Sequence, residues 1–179
     1  SEIIDPEHVA HSDARMLAAA SLEPVDRLPI AVNCPVDGWP TFSYREAFYD
    51  VEKMLANELA QVWVGAHVRD DRMYTIRANY GVGGIASMFG CGIKLTDDNT
   101  MPWFAPLSDD QLDRVLESGE VDINAGLGAR VLETERFYLD VLSCHDNLAR
   151  CVHVFVSDTQ GPFDTAHLVM GHKIYTEIY

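Results

Sequence analysis

Apolar positions recur along this chain at two spacings, and each spacing predicts a type of element. From about Asp5 to Ala20, Val9, Met16, Leu17 and Ala20 fall on one side of a short helix. From Tyr44 onward, Phe48, Val51, Met54, Leu55, Leu59 and Val62 follow a 3.6-residue stripe, with Glu46, Asp50, Glu52, Lys53 and Glu58 on the wet face. Between these helices Arg27–Asn33 is a compact apolar run bounded by prolines. Pro29 suits the start of a strand but not its middle, so a strand is expected from near Leu28. The second helix is expected to run into Val62-Trp-Val-Gly-Ala66 as a second buried strand. Helix, strand, helix, strand predicts parallel βαβ pairing.

Beyond this first third, Met73–Arg77 reads as a strand and Gly81–Gly84 as a break. Ser108 opens a further helix: Gln111 completes a capping box, Asp109 and Asp110 suit the positive end of the dipole, and Gly119 stops it. A long helix is expected from about Leu127 to Ala149, with Val131, Leu132, Tyr138, Val141, Leu142 and Leu148 inward. Cys151–Val156 is the most strand-like run, β-branched and apolar on both faces. Lys173–Tyr179 has the spacing of a helical turn or two and ends without Gly, Pro or a basic cap, which predicts a chain cut inside a larger domain.

Composition narrows the class. The 179 residues fit one domain or a piece of one, and 47% hydrophobic with 23% charged residues describes a globular chain. Thirteen Lys and Arg against 28 Asp and Glu leave a net charge of −15, which disfavours a nucleic-acid groove or a polybasic membrane contact. No apolar run reaches the roughly 18 residues of a membrane span, and no basic-then-apolar leader is visible. Cys34, Cys91, Cys144 and Cys151 form no CxxC pair and read as reduced thiols, so a cytoplasmic location is expected.

Motif matches are few. Gly126-Leu-Gly128 opens a helix but lacks the third glycine and the buried strand of a dinucleotide fingerprint. Gly81–Gly84 is followed by no Gly-Lys-Ser/Thr, and neither GxSxG nor HExxH occurs. His8 and His11 read as a solvated helix face, and Cys151 and His153 as neighbours on one side of a strand, packed rather than metal-bound. Chemistry in parallel α/β sheets gathers beyond the carboxyl ends of the strands. Those ends carry Asn33 and Cys34, then His67, Arg69, Asp70 and Asp71, then Ser157, Asp158 and Gln160.

The segment Val154-Phe-Val-Ser-Asp-Thr-Gln-Gly-Pro-Phe-Asp-Thr-Ala-His-Leu-Val-Met-Gly171, followed by Ile174, Tyr175, Ile178 and Tyr179, resembles the strand, Gly-Pro-aromatic turn and helix of the uroporphyrinogen decarboxylase superfamily. Asp26-Arg-Leu-Pro-Ile30 resembles the segment that leads into that family's first strand. Phe89-Gly-Cys91, followed by Met101-Pro-Trp103, is similar to its cobalamin-dependent methyltransferase branch. The resemblance is loose over most of the chain and tight over its last 25 or so residues.

This resemblance implies an α/β fold, the N-terminal portion of a (β/α)8 TIM barrel, with 1–179 as part of a single domain and the missing C-terminal half as its partner. The decarboxylase holds its polyanionic substrate with an arginine-bearing loop after the first strand. Here Asn33-Cys-Pro-Val-Asp-Gly-Trp-Pro40 has no arginine and adds an acid, which favours the methyltransferase branch. The implied activity is methyl transfer to or from a corrinoid carried by a partner protein. The implied zinc ligands lie beyond Tyr179, and Cys91 reads as a packed thiol. The family's central aspartate matches Asp70 or Asp71; His167 and Asp71 are taken as the expected catalytic residues, and Asn33, His67, Asp158 and Gln160 as the expected substrate contacts. Tetrapyrrole decarboxylation and a non-catalytic binding or assembly module, which allows a homo-oligomer, are the alternatives.

Overall fold

The computed structural model describes residues 2–177. Along the chain these form α1 (Pro6–Ala20), α2 (Tyr44–Tyr49), α3 (Val51–Val68), β1 (Thr75–Ile76), α4 (Gly84–Met88), β2 (Gly92–Lys94), β3 (Trp103–Ala105), α5 (Asp109–Ser118), α6 (Gly128–Ser143), α7 (Asp146–Cys151), β4 (His153–Val154), α8 (Pro162–Met170), a 3-10 turn at Gly171–Lys173 and α9 (Ile174–Glu177). They belong to two compact units. The first comprises Ser1–Phe42, Asp50–Arg77 and Arg136–Phe155, the second Ser43–Tyr49, Ala78–Glu135 and Val156–Tyr179.

In the first unit, α1 begins where Asp5 accepts from the amides of Glu7 (3.0 Å) and His8 (3.3 Å), with Pro6 supplying a first helical residue that needs no amide partner. Asp50 caps α3 in the same way, through Glu52 (3.0 Å) and Lys53 (3.2 Å). The strand expected at Val62–Ala66 is instead the last part of α3. Leu55, Leu59, Val62 and Ala66 continue one helical stripe, and nothing breaks the ladder until Arg69 turns left-handed at φ 57°. Gly65 is the one glycine this helix requires: a Cβ there would lie 2.6 Å from the Tyr74 ring.

The parallel βαβ pairing expected between Leu28–Asn33 and Val62–Ala66 does not form, since neither is a strand; the parallel pair is instead β1 with β4, in the register Thr75↔His153 and Ile76↔Val154. The His153 amide donates to Tyr74 O (2.8 Å) and the Phe155 amide to Ile76 O (2.7 Å). The strand is much shorter than the Cys151–Val156 run, because Cys151 ends α7 and the ladder stops with the amide of the exposed Phe155. Cys151 and His153 are therefore not neighbours on one strand face. The long helix expected over Leu127–Ala149 also divides, at Cys144–His145, and Leu132 is exposed rather than inward. The core of this unit gathers Val9, Met54, Leu55, Val62, Tyr74 and Ile76 with Tyr138 and Leu142.

Leu28–Asn33 is extended but is not a ladder strand, and Leu28, Ile30 and Val32 are exposed. Its amides are held by side chains instead. His8, expected on a solvated face, is half-buried with its Nε2 3.1 Å from Asp70 O, while His11 is exposed.

In the second unit, β2 and β3 make an antiparallel hairpin (Gly92↔Ala105, Ile93↔Phe104, Lys94↔Trp103) that the apolar pattern does not announce. α5 matches expectation: Ser108 donates its amide to Gln111 Oε1 (2.9 Å), and Gly119 ends the helix at φ 63°. The Gly126-Leu-Gly128 motif is a packing device. Gly126 adopts φ 56°, and a Cβ on it would lie 2.3 Å from Ser87 O; one on Gly128 would lie 1.8 Å from Ile123 O. The Leu127 amide between them donates to Ser87 Oγ (2.9 Å).

The architecture is thus mixed helix and strand, with two small two-stranded sheets. Neither sheet closes into the expected barrel. Among the described residues no helix is long and apolar enough to cross a membrane.

Replacing Gly126 by Ala forces a side chain toward backbone at a left-handed position. Equilibrium urea unfolding is expected to show a loss of about 1–3 kcal/mol.

Candidate functional site

The ends of the two parallel strands lead into the segments that carry the polar groups. In the second unit, the Ser157 hydroxyl donates to Ala78 O (2.7 Å) and its amide to Glu135 Oε1 (3.3 Å). Thr159 pairs with Gly83 in an isolated antiparallel bridge. These contacts set the segment after β4 beside the segment after β1, within the same unit. Tyr80, 2% exposed, shares a 2.8 Å hydrogen bond with Thr134 Oγ1, and Tyr44 donates its hydroxyl to Asn79 O (3.0 Å).

The Arg130 guanidinium lies 4.8 Å from the Tyr80 ring centre and 5.1 Å from that of Phe48, and donates to Phe48 O. Tyr80, Arg130, Ser157 and Glu135 were not among the expected site residues. Only Ser157, at a strand end, carried a sequence signal. The others sit inside helical or irregular stretches where nothing marks them.

Of the expected residues, Asp158, Gln160 and His167 fall in this unit. Asp158 and Gln160 are half-buried on the irregular segment that precedes α8. Thr165 Oγ1 donates to Gln160 O (3.3 Å), which fixes this backbone to the first turn of α8. His167 lies on α8 itself, its ring 5.4 Å from Tyr175 and 5.9 Å from His172. Cys91 is buried, its thiol 3.7 Å from Leu168 O, and burial pushes its pKa up. It is a packed thiol.

Asn33, His67 and Asp71 fall in the first unit. Asn33 is exposed. His67 is exposed in the last turn of α3, not at a strand end, with Nδ1 2.8 Å from Trp63 O and its ring 4.2 Å from Trp63. Asp71 is 1% exposed and its carboxylate is fully engaged. It accepts from Arg15 (2.6 Å), from both terminal nitrogens of Arg27 and from the Ile30 amide (2.9 Å). Burial alone would raise its pKa, but Arg27, the Ile30 amide and Arg15 outweigh it and hold the carboxyl at about 2. Asp70 beside it accepts from the Val32 amide (2.7 Å) and Arg72 Nε (3.0 Å), and is also lowered, against its own burial.

A zinc site is a matter of donors. Among the described residues no group of three or more His, Cys, Asp or Glu side chains could hold a metal ion. The zinc that the family resemblance implies draws its expected ligands from beyond Tyr179.

No protein-family model matches the chain, and no curated protein does. A solved structure does, a methyltransferase from Methanosarcina mazei, with a TM-score of 0.57 at 18% identity over 93% of this chain. The chain shares its fold with a methyltransferase. It spans 47% of the length of that structure.

Asp71 sets an acid limit on stability. A carboxyl whose folded pKa lies near 2, below its ordinary 3.8, contributes fully above about pH 4, and the contribution disappears as pH falls through about 2. Asp71→Asn leaves Arg27 without a carboxylate and Arg15 with Asp26 alone, and is expected to cost about 3 kcal/mol at neutral pH. Urea midpoints measured from pH 7 to pH 2 should show the wild-type advantage shrink across that acid window.

Proposed function

We propose that this chain is the N-terminal part of a uroporphyrinogen-decarboxylase-like (β/α)8 barrel of the corrinoid methyltransferase branch. It moves a methyl group to or from a cobamide carried by a partner protein in the cytoplasm. The observation that carries the reading is the fold shared with the Methanosarcina methyltransferase over 93% of the chain. The arginine-free stretch Asn33–Pro40 supports methyl transfer over decarboxylation, because a polyanionic tetrapyrrole needs a cationic clamp there. Exposed Leu28, Ile30 and Phe155, at the extended segments, support a barrel that further strands complete.

In the direction away from the corrinoid, a nucleophilic acceptor atom attacks the methyl carbon. A corrinoid carried by the partner protein would supply the methyl group and take back the electron pair of the bond that holds it. In this reading His167, Asp158 and Gln160 orient the acceptor. Asp71, locked by two arginines, anchors the segment that leads to Asn33 within the first unit, and it transfers no proton.

The test is demethylation of free methylcobalamin by the complete barrel that this reading implies, with 2-mercaptoethanol as acceptor, followed by the spectral change to cob(I)alamin. The expected result is turnover that falls about tenfold or more in His167→Ala and Asp158→Ala. Conversion of uroporphyrinogen without any demethylation would assign the decarboxylase instead, and inertness toward both would leave the binding module.

A further inference from the structure

Three helices of the second unit turn apolar faces toward one cleft. On α8 the positions Pro162, Thr165, Ala166, Val169 and Met170 follow the i, i+3, i+4, i+7, i+8 spacing of a single face, and all five line the cleft. α5 contributes Leu112, Val115 and Leu116, and Ile85 with Phe89 closes the side at α4. The space measures about 420 Å3, within the usual range of roughly 300–1,000 Å3 for small-molecule sites. None of the residues of α5 is buried, and Leu116 is 69% exposed, so this apolar face is left in contact with water. Gln160 also borders the cleft and is, with Thr165, one of the two polar residues there. The Thr165 hydroxyl is already directed to Gln160 O, which leaves the Gln160 amide as the group able to meet a ligand.

The surrounding charge selects the occupant further. α5 carries Asp109, Asp110, Asp113 and Glu117 against the single Arg114. Lys173 is committed to Asp109. An anionic ligand meets repulsion here, and a second copy of a chain with net charge −15 meets more of it. A neutral molecule with an apolar body meets neither.

We infer that the cleft bounded by α4, α5 and α8 binds a neutral, predominantly apolar small molecule carrying one hydrogen-bonding group, which the Gln160 amide receives. The cleft shares Gln160 with the proposed methyl-transfer site but does not require that reading, because its binding is measured without turnover.

The probe is N-phenyl-1-naphthylamine, whose fluorescence rises in apolar surroundings, titrated into the intact chain. Saturable binding at one site per chain is expected, displaced about tenfold more effectively by 1-decanol than by decanoate at low ionic strength. Ala166→Phe fills the cleft and should weaken probe binding about tenfold or more. Leu116→Glu, at a position too exposed to govern folding, should weaken it as well while the circular dichroism stays unchanged. Gln160→Leu should leave probe binding intact and abolish the preference for decanol over decane. Non-saturable binding, binding unchanged in both Ala166→Phe and Leu116→Glu, or equal displacement by decanol and decanoate would overturn the inference.

Discussion

Asp70 and Asp71 accept the amides of Val32 and Ile30, alternate residues of one extended segment, while Arg15, Arg27 and Arg72 close around the two carboxylates. An extended run with apolar side chains in water has little to hold it by burial alone. Here charged acceptors do the work that a neighbouring strand does in a sheet, and charge-assisted hydrogen bonds are about twice as strong as neutral ones. The Asp71 amide returns a bond to Ile30 O (2.8 Å), so backbone and side chain grip the segment from one side. Removing a single carboxylate would strand cations and free the backbone at the same moment, so the pair acts as a hub of the first unit.

The second unit is organised by close approach. Gly83 lies so near Phe104 that a Cβ would stand 2.2 Å from the ring, and Gly126 meets Ser87 almost as tightly. Ser87 then spends its hydroxyl twice, donating to Gly84 O (2.6 Å) and accepting from the Leu127 amide. Such contacts leave the polar segments after Ala78 and Val156 little freedom, and the groups they carry are placed by backbone rather than by long flexible side chains. Polar groups held in this way can orient a ligand without losing much entropy on binding.

Legibility in the sequence followed the locality of each signal. α1 was readable from its apolar spacing, and α5 because its capping is written in nearby residues, Ser108 with Gln111 and Gly119. Val62–Ala66 misled because a short buried apolar run looks the same in a strand and in the last turns of a helix, and only the left-handed Arg69 marks the real boundary. The β2–β3 hairpin was hidden because its strands are three residues each and two of the positions are Gly92 and Ala105. At the site, Asp158 and Gln160 could be picked out from their place after a strand. Asp71 was picked out too, yet its arginine partners lie 44 and 56 positions away, so its environment could not be read locally. Ile178 and Tyr179, which take part in the family resemblance, lie outside the described residues.

The exposed apolar edge at Leu28, Ile30 and Val32 has a colloidal consequence. At neutral pH every copy carries fifteen excess negative charges, and mutual repulsion holds such edges apart. That repulsion acts only over the Debye length, which shrinks to about 3 Å in molar salt, and it vanishes near the isoelectric point of about 4.6. The same net charge therefore also decides how concentrated this protein can become before its bare segments find one another.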